Sequence, residues 1–225
     1  MEQKVAEGAG LTPQQKQLLD LAIQELYFVK TFYLSGGTAL SSWYLHHRES
    51  YDLDFFSLVP FDYERITRWF RQNQRTIGYK QVLFDEDYGF LKVQIHYPNQ
   101  SRLKIDFNHY SPTKLEKGFS WRDLEIDSLV DIATNKLVTI ATLPRTRDYV
   151  DLFFILKREQ WTLDWLIEQS RKKFKDRIDP LQLAKNFLKA TEYSDYPTIL
   201  LPFDKKKMFR FYEQLAQELK PKILK

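Results

Sequence analysis

The apolar residues of this 225-residue chain change their spacing near residue 120, and no other feature constrains the fold as strongly. Before that point, short stretches alternate apolar and polar residues, as strands do, and helical patterns lie between them. After Trp121 the alternation disappears and amphipathic helical spacing takes over. We therefore predict an α+β fold, with a mixed sheet and flanking helices in residues 1–120 and an all-helical domain in residues 121–225.

Capping and turn residues divide these patterns into elements. Thr12 and Pro13 are typical of a helix start, and Ser35-Gly36-Gly37 of a strand end. In the first half we predict helices over 13–29, 38–47 and 61–73, and strands over 31–34, 52–57, 80–84, 90–96 and 102–107, the last three as an antiparallel meander. In the second half we predict helices over 126–141, 148–157, 163–174, 181–190 and 205–219.

Composition excludes several classes of protein. The chain has no cysteine, which excludes disulfides and thiolate metal sites and fits a reducing cytoplasm. The first residues lack an apolar core of signal-peptide length, and no stretch reaches the roughly 18 apolar residues of a membrane span. The net charge of +4 suits nucleic acid or nucleotide partners. We expect a cytoplasmic protein that does not enter the membrane.

A glycine-rich turn lies between a predicted strand and a predicted helix. It consists of Gly36, Gly37 and Thr38. Glycines let backbone amides approach a phosphate closely, and a helix N-terminus adds positive potential. A tight strand-to-helix turn without a ligand explains the same residues, so both interpretations stay open here.

Two acidic residues share one side of the predicted strand 52–57. Asp52 and Asp54 are two positions apart and project together, whereas Leu53 and Phe55 face the opposite side. Adjacent carboxylates repel each other, and a shared Mg²⁺ ion is one explanation for their pairing in an apolar strand. A solvent-facing strand edge is the alternative.

A third acid, Asp106, stands on the predicted strand 102–107, opposite in direction to its apolar neighbours Ile105 and Phe107. A strand next to Asp52 and Asp54 would place Asp106 on the same face of the sheet. Three carboxylates could then hold two metal ions, one for a triphosphate and one for an attacking hydroxyl.

These features together resemble the nucleotidyltransferase superfamily, and more closely the AbiEii/AbiGii toxin family with its MenT-type members. The resemblance rests on Gly36 to Leu40, on the run from His47 to Phe56, and on two later motifs. The later motifs are Asp131-Ile-Ala-Thr-Asn-Lys136-Leu and Arg145-Thr-Arg-Asp148-Tyr-Val-Asp151-Leu. The resemblance covers about Phe32 to Leu156.

The resemblance implies transfer of a nucleoside monophosphate from an NTP to an acceptor hydroxyl, with Mg²⁺ or Mn²⁺. It implies that Asp52 and Asp54 hold both metal ions and that Asp106 completes the site nearest the attacking hydroxyl. The implied triphosphate ligands are Gly36, Gly37, Thr38 and Lys136. The implied acceptor is a tRNA 3′ end or another RNA, and the implied role is that of a toxin in a toxin–antitoxin or phage-defence pair. The antitoxin would be a separate chain.

Three residues have two interpretations each. Lys136 borders the apolar stripe of its helix, so its ammonium can reach a triphosphate or simply lie at the surface. Arg48 can contact phosphate or brace the loop before Asp52 by a salt bridge. Asp148 and Asp151 share a helix face. Asp148 can orient Lys136 or the acceptor, or it can have a structural role, as a cap or in a pair with Arg145 or Arg147.

Two further functions stay open. The acceptor of the nucleotide can be a protein side chain or a small molecule, or the chain can be a nucleotide-binding regulator without turnover. The basic clusters Arg171 to Lys175 and Lys205 to Lys207 bind RNA phosphates in one interpretation and are solvated helix faces in the other.

Overall fold

A computed structural model of the chain describes residues 8–223. The chain forms two compact units. The first unit comprises the residues up to Tyr44 together with Ser50–Pro112 and Gly118–Asp127. The second unit comprises Leu45–Glu49, Thr113–Lys117 and the residues from Ser128 onward. Both units are therefore assembled from separate segments of the sequence.

The first unit contains a seven-stranded sheet and five α-helices within its described residues. The strands are β1 (Tyr33–Ser35), β2 (Asp52–Ser57), β3 (Gln81–Asp87), β4 (Phe90–His96), β5 (Arg102–His109), β6 (Phe119–Trp121) and β7 (Leu124–Ile126). The helices are α1 (Pro13–Ala22), α2 (Leu26–Thr31), α3 (Gly36–Ala39), α4 (Tyr63–Gln72) and α5 (Gln74–Ile77). A π-helical segment, Leu40–Leu45, follows α3 directly.

The sheet is mixed, with strand order β3-β4-β5-β2-β1-β7-β6. The β2–β5 and β1–β7 pairs are parallel and the other neighbours are antiparallel. The predicted antiparallel meander of β3, β4 and β5 is confirmed. Strand β2 therefore lies in the middle of the sheet, with β5 on one side and β1 on the other.

Alternation along β2 and β5 gives the sheet an apolar face. Leu53, Phe55, Ile105 and Phe107 are each at most 1% exposed. The rings of Phe55 and Phe107 stack with their centroids 5.1 Å apart. Further aromatic side chains pack around this pair, among them Phe28 and Phe32 of the segment that precedes β1 and Phe70 of α4. The aromatic core leaves the opposite face of β2 and β5 to polar side chains.

Several features differ from the predictions. The strand predicted over 31–34 is Tyr33–Ser35, and the helix predicted over 126–141 begins at Leu129 because Ile126 belongs to β7. The helix predicted over 13–29 is two helices, because the chain breaks between α1 and α2 and Glu25 caps the second. The helix predicted over 38–47 ends at Leu45, and His46 has a left-handed φ of 50°. The prediction that strands end by Trp121 is wrong, since β7 follows it and pairs with β1.

The second unit is helical. Its helices are α6 (Leu129–Thr142), α7 (Thr146–Glu159), α8 (Leu163–Phe174), α9 (Pro180–Leu188), α10 (Lys205–Glu218) and α11 (Lys220–Ile223), with a short 3-10 helix at Lys189–Glu192. Two buried tyrosines tie the bundle together: Tyr212 donates to the Tyr149 carbonyl and Tyr149 to the Asn186 carbonyl, each at 2.6 Å. The α+β fold with a helical C-terminal region is as predicted. Across residues 8–223, every helix lacks the length or the apolar character needed to cross a membrane.

Candidate active site

Two carboxylates lie on the polar face of β2. Asp52 and Asp54 are half-buried, whereas Leu53 and Phe55 on the other face are buried in the core. Residues two apart in a strand project to the same side, which explains this division. The acidic pair is thus held by a central, well-anchored strand rather than by an exposed edge.

Strand β5 brings a third carboxylate beside them. In the parallel β2–β5 pair, Asp54 stands opposite Asp106 and Asp52 stands opposite Lys104. Paired residues of neighbouring strands project from the same face of a sheet. The register therefore places Asp52, Asp54 and Asp106 on one face of the sheet. This is the arrangement expected if β5 lies next to β2. Asp106 itself is 9% exposed.

A lysine ammonium lies between two of these carboxylates. Lys104 Nζ is 2.5 Å from Asp106 Oδ2 and 3.9 Å from Asp52 Oδ2. The other carboxylate oxygen of Asp106, Oδ1, is buried and has no hydrogen-bond partner among the described residues. One cation is thus already present at the acids, and one buried acceptor remains unsatisfied.

These oxygen donors fit a hard divalent cation. Mg²⁺ prefers carboxylate ligands and completes its shell with water and phosphate oxygens, so it does not require three protein ligands. No three Asp, Glu or His side chains within residues 8–223 converge as a complete metal-binding group. The residues present therefore fit a cation that is bound jointly by the acids and by a triphosphate.

Gly36 lies directly against Asp54. It has a left-handed φ of +74°, and a Cβ built on it would stand 2.2 Å from Asp54 Oδ2. A side chain at this position would therefore strain the backbone and displace the carboxylate. The glycine of the turn is thus required for the position of Asp54, which the sequence did not indicate.

Thr38 follows in the same turn but its side chain faces inward. The residue is fully buried, and its hydroxyl donates to the Asp52 carbonyl at 2.5 Å and is hydrogen-bonded to the Ser50 hydroxyl, which can donate to it, at 2.9 Å. These bonds brace the segment that enters β2. The Thr38 hydroxyl therefore contacts the strand that carries the acids.

A second charged cluster, in the helical unit, contains the other predicted site residues. Lys136 Nζ contacts Asp148 Oδ1 at 2.8 Å and Asp151 Oδ2 at 2.6 Å. Arg48 forms a bidentate ion pair with Asp151, in which Nε donates to Oδ1 at 2.5 Å and Nη2 donates to Oδ2 at 2.8 Å. His47 Nε2 is 2.8 Å from Asp151 Oδ1. Lys136, Arg48, Asp148 and Asp151 therefore form one buried network.

Opposite charges decide the ionisation of this network. Burial raises the pKa of Asp151, but the charges of Arg48 and Lys136 outweigh it and hold that pKa well below its usual value. Burial likewise raises the pKa of Asp148, and Lys136 with Arg145 brings it below the usual value. Both carboxylates are therefore ionised near neutral pH. Burial lowers the pKa of His47 despite its contact with Asp151, so the imidazole is neutral.

Asp148 makes both of the contacts that were predicted as alternatives. Besides contacting Lys136, it accepts from Arg145 Nε at 2.9 Å and from the Arg145 backbone N–H at 3.3 Å. It thereby caps the first turn of α7 while it orients the Lys136 ammonium.

Asp131, the first residue of the motif that ends in Lys136, has a structural position. Its carboxylate accepts from the Leu115 and Glu116 backbone N–H groups and from the Ser128 hydroxyl. It also forms an ion pair of 2.7 Å with Lys173, which is 3% exposed. Lys173 is the central residue of the basic cluster Arg171 to Lys175, so that cluster is not uniformly solvated.

Two residues of these clusters were missed by the sequence analysis. Lys104 is two positions before Asp106, so the alternation of the strand already placed it on the same face. His47 was predicted on a helix face, and the π-helical segment with the left-handed His46 instead turns it into the buried network. No local pattern signals that contact, because its partner Asp151 is 104 residues away.

Comparison with known families decides the class of protein. Residues 18–221 match the family described as nucleotidyl transferase AbiEii toxin, Type IV TA system. The chain belongs to this family. It is therefore a nucleotidyltransferase, as predicted, and NTP is its substrate class. The match runs well past Leu156, so the C-terminal helices are part of the AbiEii unit although they carry no recognisable motif.

Individual relatives agree with membership of the AbiEii family. An Aquifex aeolicus (strain VF5) protein named "Uncharacterized protein aq_aa25" is 30% identical over 179 residues, which span 74% of this chain and 77% of that protein. The crystal structure of JHP933 from Helicobacter pylori superposes with a TM-score of 0.59 at 19% identity, covering 95% of this chain and 94% of that one. The second likeness concerns the fold alone.

Proposed function

We propose that this AbiEii-family nucleotidyltransferase attaches a nucleoside monophosphate to the 3′ end of a tRNA and acts as the toxin of a toxin–antitoxin pair. The observation that carries the proposal is the parallel β2–β5 register, which sets Asp54 opposite Asp106 with Asp52 on the same face. Membership of a family described as a Type IV TA system supports the toxin role and a separate antitoxin chain. We also propose a cytoplasmic location, which suits that role.

In the proposed reaction the acceptor hydroxyl oxygen attacks the α-phosphorus of the NTP. A new P–O ester bond forms, the bond from the α-phosphorus to the bridging oxygen breaks, and pyrophosphate leaves with that electron pair. The hydroxyl proton passes to water or to a carboxylate of the site. Asp106 would complete the metal site nearest the attacking hydroxyl, because its Oδ1 lacks a hydrogen-bond partner among the described residues.

The other acids and the glycine turn position the triphosphate. Asp52 and Asp54 would hold Mg²⁺ or Mn²⁺, which, when bound, neutralises triphosphate charge and makes the attacking hydroxyl more acidic. The backbone amides of Gly36 and Gly37 would donate to phosphate oxygens, since neither residue has a side chain in the way. The buried hydroxyl of Thr38 supports this site from behind through the Asp52 carbonyl.

Lys136 is the proposed phosphate ligand of the helical unit. An ammonium has three N–H donors, and two of them point to Asp148 and Asp151. The third can donate to a phosphate oxygen. Arg48 and His47 would act on Lys136 only indirectly, by fixing the orientation of Asp151.

The test is transfer of label from each α-labelled NTP to total bacterial tRNA in Mg²⁺ buffer. The active-site variant is Asp52→Asn/Asp54→Asn. Its matched control is Asp85→Asn/Asp87→Asn, which removes the same charge at the same spacing from the edge strand β3. We expect label on tRNA with the wild type and the control, and none with the active-site variant. Label on a protein or small molecule and none on RNA would contradict the tRNA acceptor, and NTP binding without pyrophosphate release would contradict catalysis.

A further inference from the structure

The helical unit contains a small apolar pocket between α6, α8 and the start of α9. Its volume is about 270 Å³, and its walls include Val138, Ala141, Thr142, Ser170, Phe174 and Ile178. Ligand pockets for drug-sized molecules span roughly 300–1,000 Å³, so this pocket suits one planar ring system rather than a complete nucleotide. We call it the α8 pocket.

One polar group in the wall of the α8 pocket is unsatisfied. Ser170 is 1% exposed, and its hydroxyl oxygen has no hydrogen-bond partner within residues 8–223. A buried hydroxyl without a partner is unfavourable unless a ligand supplies one. An aromatic ring, Phe174, lines the same space. A planar ligand with polar edges would fit this space, because it could stack on Phe174 and form a hydrogen bond with the Ser170 hydroxyl.

The mouth of the α8 pocket adjoins a basic surface. Arg171, Lys172, Lys175 and Arg177 line a neighbouring depression of about 430 Å³ and are all exposed. We call these four residues the α8 basic rim. Arg177 and Asp176 line both spaces, which makes the pocket and the rim continuous.

The acids near the rim have other partners. Glu168 accepts from Arg171, Asp176 from the Arg177 backbone N–H, and Asp179 from the Leu181 backbone N–H. Lys172, Lys175 and Arg177 form no ion pair within residues 8–223, so their three positive charges outnumber the single carboxylate, that of Asp176, which lies in the same depression. These residues lie in the last turn of α8, at its C-cap Lys175, which has a left-handed φ of 55°, and just beyond it at Arg177.

We propose that the α8 pocket receives one unpaired base of the RNA acceptor while the α8 basic rim holds the flanking phosphates. Proteins bind single-stranded RNA by this combination of an aromatic platform with a positively charged surface. The apolar pocket alone would fit many small molecules, and the adjoining cations favour RNA. The inference rests on the proposed function in one respect, that the acceptor of the nucleotide is an RNA.

Binding of an unstructured RNA of roughly ten nucleotides to the full-length protein tests the pocket, by fluorescence anisotropy without NTP. Ser170→Ala should weaken binding about 3- to 10-fold, the loss of one hydrogen bond. Because the hydroxyl has no partner in the fold, the variant should unfold at the same temperature as the wild type or higher. A lower unfolding temperature with unchanged RNA affinity would overturn the role of Ser170.

A second variant fills the pocket from its exposed rim. Thr142→Trp should weaken RNA binding about tenfold, since it excludes the stacked base. Thr191→Trp is its control, because it adds the same side chain at an exposed threonine of the same unit that does not line the pocket. Equal affinity of the two variants would overturn the pocket as a base-binding site.

The basic rim is tested by the salt dependence of the same binding. Lys172→Gln/Lys175→Asn/Arg177→Gln should lower the slope of log affinity against log salt by about 2, since each phosphate contact in single strands contributes roughly 0.7. The control Arg71→Gln/Arg75→Gln/Lys80→Gln removes three exposed cations of the first unit that lie outside both basic clusters. An equal change of the slope in both triple variants would show that the rim attracts RNA only through its general positive charge, and would overturn the proposal.

Failure of this inference is distinguishable from failure of the proposed function. If tRNA is labelled at the wild-type rate by all pocket and rim variants and RNA affinity is unchanged, the α8 site is refuted and nucleotidyl transfer to tRNA stands. If the wild type labels no RNA but the variants lose RNA affinity as expected, the α8 pocket and rim stand as an RNA-binding site, whereas the tRNA acceptor, and with it the pocket's role toward an acceptor, is refuted.

Discussion

Replacing Gly36 by alanine tests whether a glycine is needed there to leave room for the Asp54 carboxylate. Alanine at a φ of +74° costs about 1–2 kcal/mol of backbone strain. Its Cβ would also stand 2.2 Å from Asp54 Oδ2, so the carboxylate must move by about 1 Å to reach ordinary contact. A displacement of about 1 Å at a reacting group lowers the rate by roughly 100-fold. We therefore expect Gly36→Ala to lose about two orders of magnitude in nucleotidyl transfer.

Gly78 provides a matched control for this substitution. It has nearly the same φ, +77°, but a Cβ there meets no atom within 4 Å. Gly78→Ala should thus lose a similar 1–2 kcal/mol of unfolding free energy, measured by urea denaturation, and keep its activity. Pyrophosphate release from NTP and tRNA gives the rates. Equal activity of the two alanine variants would refute the idea that the glycine is needed to place Asp54.

Three further predictions concern the two charged clusters. Asp151→Asn should lower the unfolding free energy by about 3–5 kcal/mol in urea denaturation, because it leaves buried cations uncompensated. The control Asp164→Asn, on the exposed face of α8, should change it by about 1 kcal/mol or less. Similar losses in the two variants would refute the role of burial. The folded pKa values of Asp148 and Asp151 lie below the unfolded value of 3.8, so their stabilisation is complete above that pH and is lost as pH falls through the folded values. The urea midpoint should accordingly drop in acid less steeply for Asp151→Asn than for wild type, and parallel curves would contradict this. Lys104→Gln removes the ammonium between Asp52 and Asp106. Added Mg²⁺ should therefore raise the unfolding temperature more in this variant than in the wild type. An equal rise in both would show that the lysine and the metal do not share a site.

Much of the fold was predictable where one face of an element is buried. Strands 52–57 and 90–96 have the predicted bounds because their side chains alternate between the core and the other face. Helix α8, at 163–174, also has the predicted bounds, with Thr162 as its cap. By contrast, β6 and β7 contain three residues each, too few to show a period, and pairing with the rest of the sheet defines them.

The face of the sheet on which the acids lie was predictable, but the register of the strands that carry them was not. Alternation within each strand indicates that Asp54 and Asp106 face away from the core. Their pairing joins strands that are separated in sequence by β3 and β4, and no single-sequence pattern specifies such a parallel pair. The same limit applies to Lys173, which belongs to a basic run in the sequence yet is buried against Asp131 by the packing of α6 and α8.

The most direct test of the central claim is whether Asp54 and Asp106 act as one catalytic site. The measurement is the rate of label transfer from NTP to tRNA by Asp54→Asn, Asp106→Asn and the double variant. Residues that act as a unit show strongly non-additive losses. The β2–β5 register predicts that each single variant is as inactive as the double variant. Substantial activity in Asp106→Asn, or losses that multiply in the double variant, would contradict a shared site on this face of the sheet.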